Sequence, residues 1–333
     1  MSCAVVGGGI IGLSIAWRLV ERGVDVTVYD AGTNGAWWVA AGMLAAGGEA
    51  VFEVPALGAL LAESALRWPR FAADLGGDLG YDDAGTLSVA LTGDDVAEAS
   101  RAWGRQGLTP TALRDLEPAL SPRVRAGVHA RDDGQVDPRL VVAALRGSLG
   151  GRVVDGRVER LDDLDADTVV VAAGCGTAAL TCLPVRPVKG QLLRLRGEPG
   201  LIRHVISGYA DGRHVYLVPR ADGEIVVGAT QEERTDHAVT AGGVLDLLRA
   251  AVDLVPALAD LELAEAIAGH RPATPDNAPL LGRLDDRTIV AAGHYRNGIL
   301  LAPVTADLIA DLVVTGVADP MLADFAPGRF GCA

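Results

Sequence analysis

Apolar and polar positions change period several times along the chain, and each change marks an element. Residues 3–6, "CAVV", form a short apolar run that stops at a glycine cluster. Ile11, Ile15, Leu19 and Val20 then recur at helical spacing up to Arg22-Gly23, and "VDVTVYD" reads as a strand ending on Asp30. "PALGALLAESALRWPRFAADL" and "GDDVAEASRAWGRQG" carry helical spacing, with "GTLSVAL" alternating as a strand between them. "QVDPRLVVAALRGSL" predicts a helix capped by Asp137 with Pro138 in its first turn. "ADTVVVAAGCGT" is a buried strand running into a glycine turn.

Between 186 and 265 the texture changes. "KGQLLRLRG", "RHVISGYA", "RHVYLVPR" and "EIVVGAT" alternate with period two, separated by turn signals such as "ADG". They predict a mostly antiparallel sheet, followed by the amphipathic helix "GGVLDLLRAAVDLVPAL". "TIVAAG" is a last buried strand and "ILLAPVTADLIADLVV" a last helix, beginning near Gly298. The fold class expected is mixed α/β, with a discontinuous Rossmann-like dinucleotide-binding domain and an inserted antiparallel-sheet substrate domain. The first would take 1–48, 137–185 and 266–333, and the second 49–136 and 186–265.

Three bulk properties narrow the function. At 333 residues, 50% hydrophobic and 22% charged, the chain can build a large core. A net charge of −14 disfavours nucleic acid and anionic membrane as general partners. The four cysteines form no C-x-x-C, no zinc spacing is present, and the apolar start lacks a basic leader region. A cytoplasmic chain with reduced thiols, no membrane span and no metal is therefore expected.

The chemistry begins in the first thirty residues. Gly7, Gly9 and Gly12 fit G-x-G-x-x-G between a strand and a helix. Gly7 permits the tight turn, Gly9 lets backbone approach a pyrophosphate, and Gly12 lets helix and strand pack closely. The helix start at Ile10 and Ile11 offers unpaired N–H groups to phosphate, and Asp30 can accept from ribose hydroxyls. The motif alone does not choose between NAD and FAD. A second unusual stretch is "AAGHYRNGILLAP" at 291–303, which sets His294, Tyr295, Arg296 and Asn297 between a buried strand and a buried helix.

Six segments carry a family likeness: "VVGGGIIGLSIAWRL", "AAGML", "PVKGQLL", "VYLVPRADGEIVVGAT", "GHRPATPDNAPLLGR" and "AAGHYRNGILLAPVTADLIADL". In them the chain resembles the D-amino-acid-oxidase-like FAD-dependent flavoproteins, and among these the glycine-oxidizing type of thiamine synthesis. The resemblance implies FAD lying between the two domains, hydride transfer from a small amino acid to flavin N5, and reoxidation by O2. The products would be hydrogen peroxide and an imine handed to a thiazole synthase. It also implies a homo-oligomer. It assigns Arg271 to the substrate carboxylate, where a planar fork can bond both oxygens, together with Tyr216 and Arg296.

For the cofactor the likeness implies Ala31, Ala36 and Trp37 beside the phosphates and Ala41, Gly42 and Met43 at the flavin ring. Val158 would lie at the adenine and Gly174 near phosphate or ribose. The loop His294, Tyr295, Arg296, Asn297, Gly298, Ile299 and Leu300 would pass under the ring, with the helix start facing the N1–C2=O edge. His294 either supports that loop or takes part in catalysis, and Gln231 lies over the pocket. Trp37 and Trp38 stand where the family has a hydroxyl residue, and the short "RVERLDDLDADTVV" implies a trimmed sheet over the adenine. Other readings are oxidation of sarcosine, proline or larger D-amino acids, an NAD-dependent dehydrogenase, and a catalytically impaired flavin-binding or assembly protein.

Overall fold

The computed structural model describes residues 1–47, 54–103 and 107–331. The expected division at 48/49 lies outside these residues, as does Cys332.

The valine-rich run "TVVV" sits inside a six-stranded sheet, as a strand covered on both faces should. Its strands are β1 (Ser2–Val6), β2 (Asp25–Asp30), β7 (Val153–Asp155), β8 (Thr168–Val171), β14 (Leu280–Arg283) and β15 (Thr288–Ala292), in the order β14-β15-β8-β1-β2-β7. All pairs are parallel except β14 with β15. One face is covered by α1 (Ile10–Glu21), α5 (Pro138–Leu149) and α8 (Ala302–Thr315), with α2 (Pro55–Leu75) packed outside them. The other face carries Leu164, Leu183 and Val185 from the connection that holds α6 (Thr177–Leu180).

The second sheet has seven strands in the order β13-β9-β12-β11-β10-β4-β5. They are β4 (Thr86–Ala90), β5 (Ala126–Ala130), β9 (Arg186–Arg196), β10 (Val205–Ala210), β11 (Arg213–Pro219), β12 (Glu224–Gly228) and β13 (Glu262–Ala273). It is antiparallel apart from the β10–β4 pair. Period-two alternation gives it two faces. Leu193, Leu195, Val215, Leu217 and Val227 pack under α7 (Ala241–Leu254). Leu192, Val218 and Val226 pack on the opposite side with Ala41, Met43, Tyr216 and Ile267. A small ribbon, β3 (Met43–Leu44) with β6 (Gly134–Gln135), completes the strands, and α3 (Gly93–Trp103) and α4 (Pro110–Leu116) lie near β4 and β5.

The structure corrects four expectations. Helix α2 was grouped with the inserted domain, yet Leu57, Leu61, Trp68 and Phe71 join the core of the first sheet beside Leu13 and Trp17. Burying each of these large side chains contributes roughly 1.5–3 kcal/mol, enough to decide where an amphipathic helix docks. The division at 265/266 falls inside β13, which pairs with β9 through Ala273. The last helix starts at Ala302 rather than near Gly298. Pro303 has no N–H to pass the ladder on, so 298–301 remain a turn held by Leu301 N donating to Asn297 O at 2.8 Å. Finally, no strand lies between β7 and β8, only a 3-10 turn at Leu161–Asp163.

Candidate active site

The glycine turn joins β1 to α1 as its spacing predicts. Gly7 has φ +126 and donates to Tyr29 O at 2.9 Å, while a side chain at Gly7 or Gly12 would collide with backbone. Gly9 differs, because among the described residues a Cβ there would meet only Trp37 Cδ1, at 3.7 Å. Gly9 is also the N-cap of α1, and the first turn has no side-chain cap hydrogen bond from it. Ile10 is buried and Ile11 half-buried in that turn. Gly174, with φ +55, follows β8 and has no atom within 4 Å of its Cβ position.

Asp30 ends β2 with its carboxylate buried beneath Gly8. Its Oδ1 accepts from Gly32 N at 3.2 Å and its Oδ2 pairs with Arg146 of α5. Arg146 also reaches Gly8 O at 3.4 Å, a role its place in a helix gave no hint of. Ala31 is exposed just beyond β2. Val158 packs with Tyr29 and Leu161 on the far face, in a segment tied back by Gly156 N donating to Asp30 O at 2.8 Å.

Ala36, Trp37 and Val39 lie in a 3-10 turn between the glycine loop and β13, where Val39 covers Gly269. Trp38 is held by Arg139, whose guanidinium lies 3.7 Å from the indole centroid and whose Nε donates to Trp38 O at 3.2 Å. Arg139 also bonds Glu265 at 2.9 Å, so this arginine ties Trp38 and α5 to β13. Arg220 does the same for the next stretch, donating to Ala41 O at 2.6 Å and to Gln135 Oε1 at 2.9 Å. Gly42, with φ +83, packs against Val136 and Pro138. These bonds set Ala41 and Met43 against the side of the second sheet opposite α7.

Tyr216 and Arg271 share that side. The Tyr216 ring lies over Gly228, where a Cβ would be 2.5 Å from Oη. The Arg271 guanidinium lies flat over Gly190, where a Cβ would be 2.7 Å from both Cζ and Nη2. Its Nη1 donates to Thr230 O at 3.1 Å and Lys189 O at 3.4 Å. Gly228 and Thr230 are two residues apart, so the ends of these two side chains converge although Tyr216 and Arg271 are far apart in sequence. Gly190 and Gly228 were not singled out from the sequence. A glycine inside a strand marks close approach, and that signal was available in "PVKGQLL" and "EIVVGAT". His214, two residues before Tyr216 on the same face, bonds Ser207 at 3.0 Å. It is pushed down to about 4 by the protein around it and by the nearby Arg296 cation.

The 293–301 loop closes the site. Tyr295 N donates to Pro272 O at 2.9 Å, joining the loop to the strand that carries Arg271. Arg296 is exposed and Gly298 half-buried, while Ile299 and Leu300 are buried. Leu300 O accepts from Ser64 Oγ at 2.6 Å and Trp68 Nε1 at 3.0 Å, fixing the loop to α2. For His294 the sequence leaves loop support and catalysis open. Its ring turns into the core, where Nε2 meets Thr305 Oγ1 at 3.1 Å and burial pushes it down to about 3. It supports the loop. Gln231 is exposed beside Thr230.

A flavin dinucleotide fits these residues. An uncapped helix start, an open Gly9, a carboxylate at the end of β2 and an open Gly174 line one path. At its far end Asn297 Oδ1 is buried with no hydrogen-bond partner among the described residues, a cost that a bound polar group would remove.

Comparison with known proteins agrees. Residues 2–312 match the family model described as FAD dependent oxidoreductase. Glycine oxidase of Geobacillus kaustophilus (strain HTA426) is 34% identical over 93% of this chain and 92% of its own. A crystal structure of glycine oxidase from Geobacillus kaustophilus is similar with a TM-score of 0.89, 32% identity and 98% of each chain covered. A "Bifunctional protein ThiO/ThiG" of Synechocystis sp. is 38% identical over 98% of this chain but only 53% of its own, so the chain spans about half the length of such relatives. With a parallel sheet, a glycine turn and a site of this form, the chain belongs to the family of FAD dependent oxidoreductases.

Proposed function

We propose that the chain oxidises glycine, or an amino acid of similar size, to the imine, with O2 as final oxidant and hydrogen peroxide as the second product. The observation that carries this reading is the Arg271 guanidinium held flat over Gly190 beside the Tyr216 hydroxyl over Gly228. Nη1 is bound to two carbonyls, which sets the plane of the fork and leaves the Nε–Nη2 side for a carboxylate. Tyr216 Oη donates to the same carboxylate. Arg296, on the loop opposite, adds positive charge at the mouth. The residues thereby fix the direction of the substrate Cα–H, and most of the rate comes from that positioning.

When bound, FAD supplies the two-electron acceptor and the route to O2. The first-turn N–H groups of α1, Gly9, Gly174 and Asp30 would hold its phosphates and ribose. Ala41, Gly42, Met43 and the 295–299 backbone would hold its ring. The substrate would lie between the two sheets. Relatives named ThiO/ThiG support a hand-off of the imine to a thiazole synthase. Likeness to the family supports a cytoplasmic homo-oligomer.

The test is anaerobic addition of glycine to the FAD-loaded protein. Bleaching of the flavin band supports the reading, whereas bleaching by sarcosine or a D-amino acid alone would replace the substrate. In Arg271→Ala, the glycine KM should rise by about 100-fold or more with FAD still bound. Unchanged kinetics would remove Arg271 from the substrate.

A further inference from the structure

Lys189 is the only lysine in the chain, and it is wholly buried at 0% exposure. Its Nζ donates to Asp236 Oδ1 at 2.7 Å and lies 3.8 Å from Glu232 Oε2. Side chains alternate along β9, so Lys189 points toward the α7 side while Gly190 lies under Arg271 on the other. The ammonium is therefore on the wrong side of the sheet to touch substrate.

What it does touch is the segment after β12. Lys189 and Glu232 exchange both backbone bonds at 2.9 Å. Thr230 N donates to Gln191 O at 3.2 Å, and Thr230 Oγ1 accepts from Gln191 N at 2.8 Å. Glu232 Oε1 accepts from Gln191 Nε2 at 2.6 Å and from Thr230 Oγ1 at 2.7 Å. Hydrogen bonds from Lys189 and then Arg234 hold the Asp236 carboxylate well below the usual range, whereas Glu232 is lowered against the effect of burial by its hydrogen bonds from Thr230 and Gln191 first and by the lysine charge after them. Both carbonyls that orient Arg271 belong to this arrangement: Lys189 O is the lysine's own, and Thr230 O lies in the segment it ties down.

We propose that Lys189 is a positioning residue for the substrate carboxylate, acting through the 230–236 segment on the plane of Arg271. The proposal rests on the reading of Arg271 as the carboxylate clamp. An ammonium suits the task because it is a compact charge on a thin stem, able to reach two carboxylates where a planar guanidinium needs more width. Loss of the ammonium leaves Arg234 as the cation on Asp236 and removes the charge that joins Asp236 and Glu232 to β9, so the Thr230 carbonyl loses its fixed place.

The test uses FAD-loaded Lys189→Met, with Asp236→Asn as a milder variant whose altered side chain is 40% exposed. Two quantities are read besides turnover: the dissociation constant of acetate, a carboxylate with no amine, from the flavin difference spectrum, and the melting temperature. The expected result for Lys189→Met is that the acetate constant and the glycine KM rise together by about 10-fold, while flavin reduction at saturating glycine changes less than about 3-fold. Should that variant fail to fold, Asp236→Asn carries the test, with a rise of about 3-fold expected in both. A lowered melting temperature with acetate binding and KM unchanged would overturn the proposal and leave Lys189 a stabilising residue only. Arg271→Ala is run alongside. If it weakens acetate binding and neither network variant does, only the Lys189 proposal falls. If it leaves acetate binding unchanged, the clamp reading falls first and this inference with it.

Discussion

Gly190→Ala isolates the clamp from the fold. A Cβ at Gly190 would stand 2.7 Å from Arg271 Cζ and Nη2, and closer to Nη1, whereas ordinary contact begins near 3.4 Å. The guanidinium must therefore lift by about 0.7 Å or more, breaking its bonds to Thr230 O and Lys189 O. Backbone cost is small, because Gly190 lies in regular strand pairing with φ outside the positive range, where alanine is no worse than glycine. A displacement of about 1 Å in a positioning group costs on the order of 100-fold, or about 2.7 kcal/mol of transition-state stabilisation. Stopped-flow flavin reduction across glycine concentrations should show kcat/KM reduced by about 30- to 100-fold, mostly through weaker binding, with the melting temperature held. A kcat/KM within about 2-fold of the parent protein, in a folded variant, would refute the argument that Arg271 must lie flat on Gly190.

Other expectations follow from single contacts. His294 folds neutral, its pKa pushed by burial to about 3 from an ordinary 6.5, so the unfolded chain takes up the proton first. Stability is then complete above pH 6.5 and lost as pH falls toward 3, by about 2 kcal/mol at pH 5. The urea midpoint should drop more between pH 7 and pH 5 than in His294→Gln, and equal drops would contradict this. Trp37 lies beside the open Gly9, so Trp37→Phe should remove a large share of the tryptophan quenching seen on FAD titration, and an undiminished amplitude would place the cofactor elsewhere. Gly42→Ala forces a side chain at φ +83 into Val136 and Pro138, costing about 2 kcal/mol or more in a urea melt. A melt unchanged from the parent would mean that the β3–β6 ribbon can shift.

The local order of the chain was legible wherever one period ran long enough to be read. The strand, glycine turn, helix and second strand of the first thirty residues stand where their spacing put them, as does α5 with Asp137 bonding Arg139 N at 2.7 Å. The alternating strands of 186–228 formed a sheet for the same reason. Less legible were elements whose place depends on a distant partner. The chain around α4 and β5 reads as punctuation by proline, and its structure follows from pairing with β4. The start of α8 was misjudged because apolar spacing continues through Gly298–Leu301 while Pro303 interrupts the hydrogen-bond ladder.

What the sequence determined alone was the chemistry within reach of one segment: a dinucleotide turn with an acid at the end of the next strand, and a polar loop between apolar runs. Motif likeness added the family and proposed Tyr216, Arg271 and Arg296 for the substrate carboxylate. Only the tertiary structure decided how these meet. Registers across β13, β9, β12 and β11 bring Gly190 under Arg271 and Gly228 under Tyr216, and no spacing rule within one segment encodes a contact between four strands. The same is true of polar partners. Arg146 on Asp30, Arg139 on Trp38, Arg220 on Ala41 and Lys189 on Asp236 each satisfy a charge or carbonyl far along the chain. Hydrophobic period reports which side of an element is buried, whereas a hydrogen bond depends on direction and distance, and both are set only when the elements have packed.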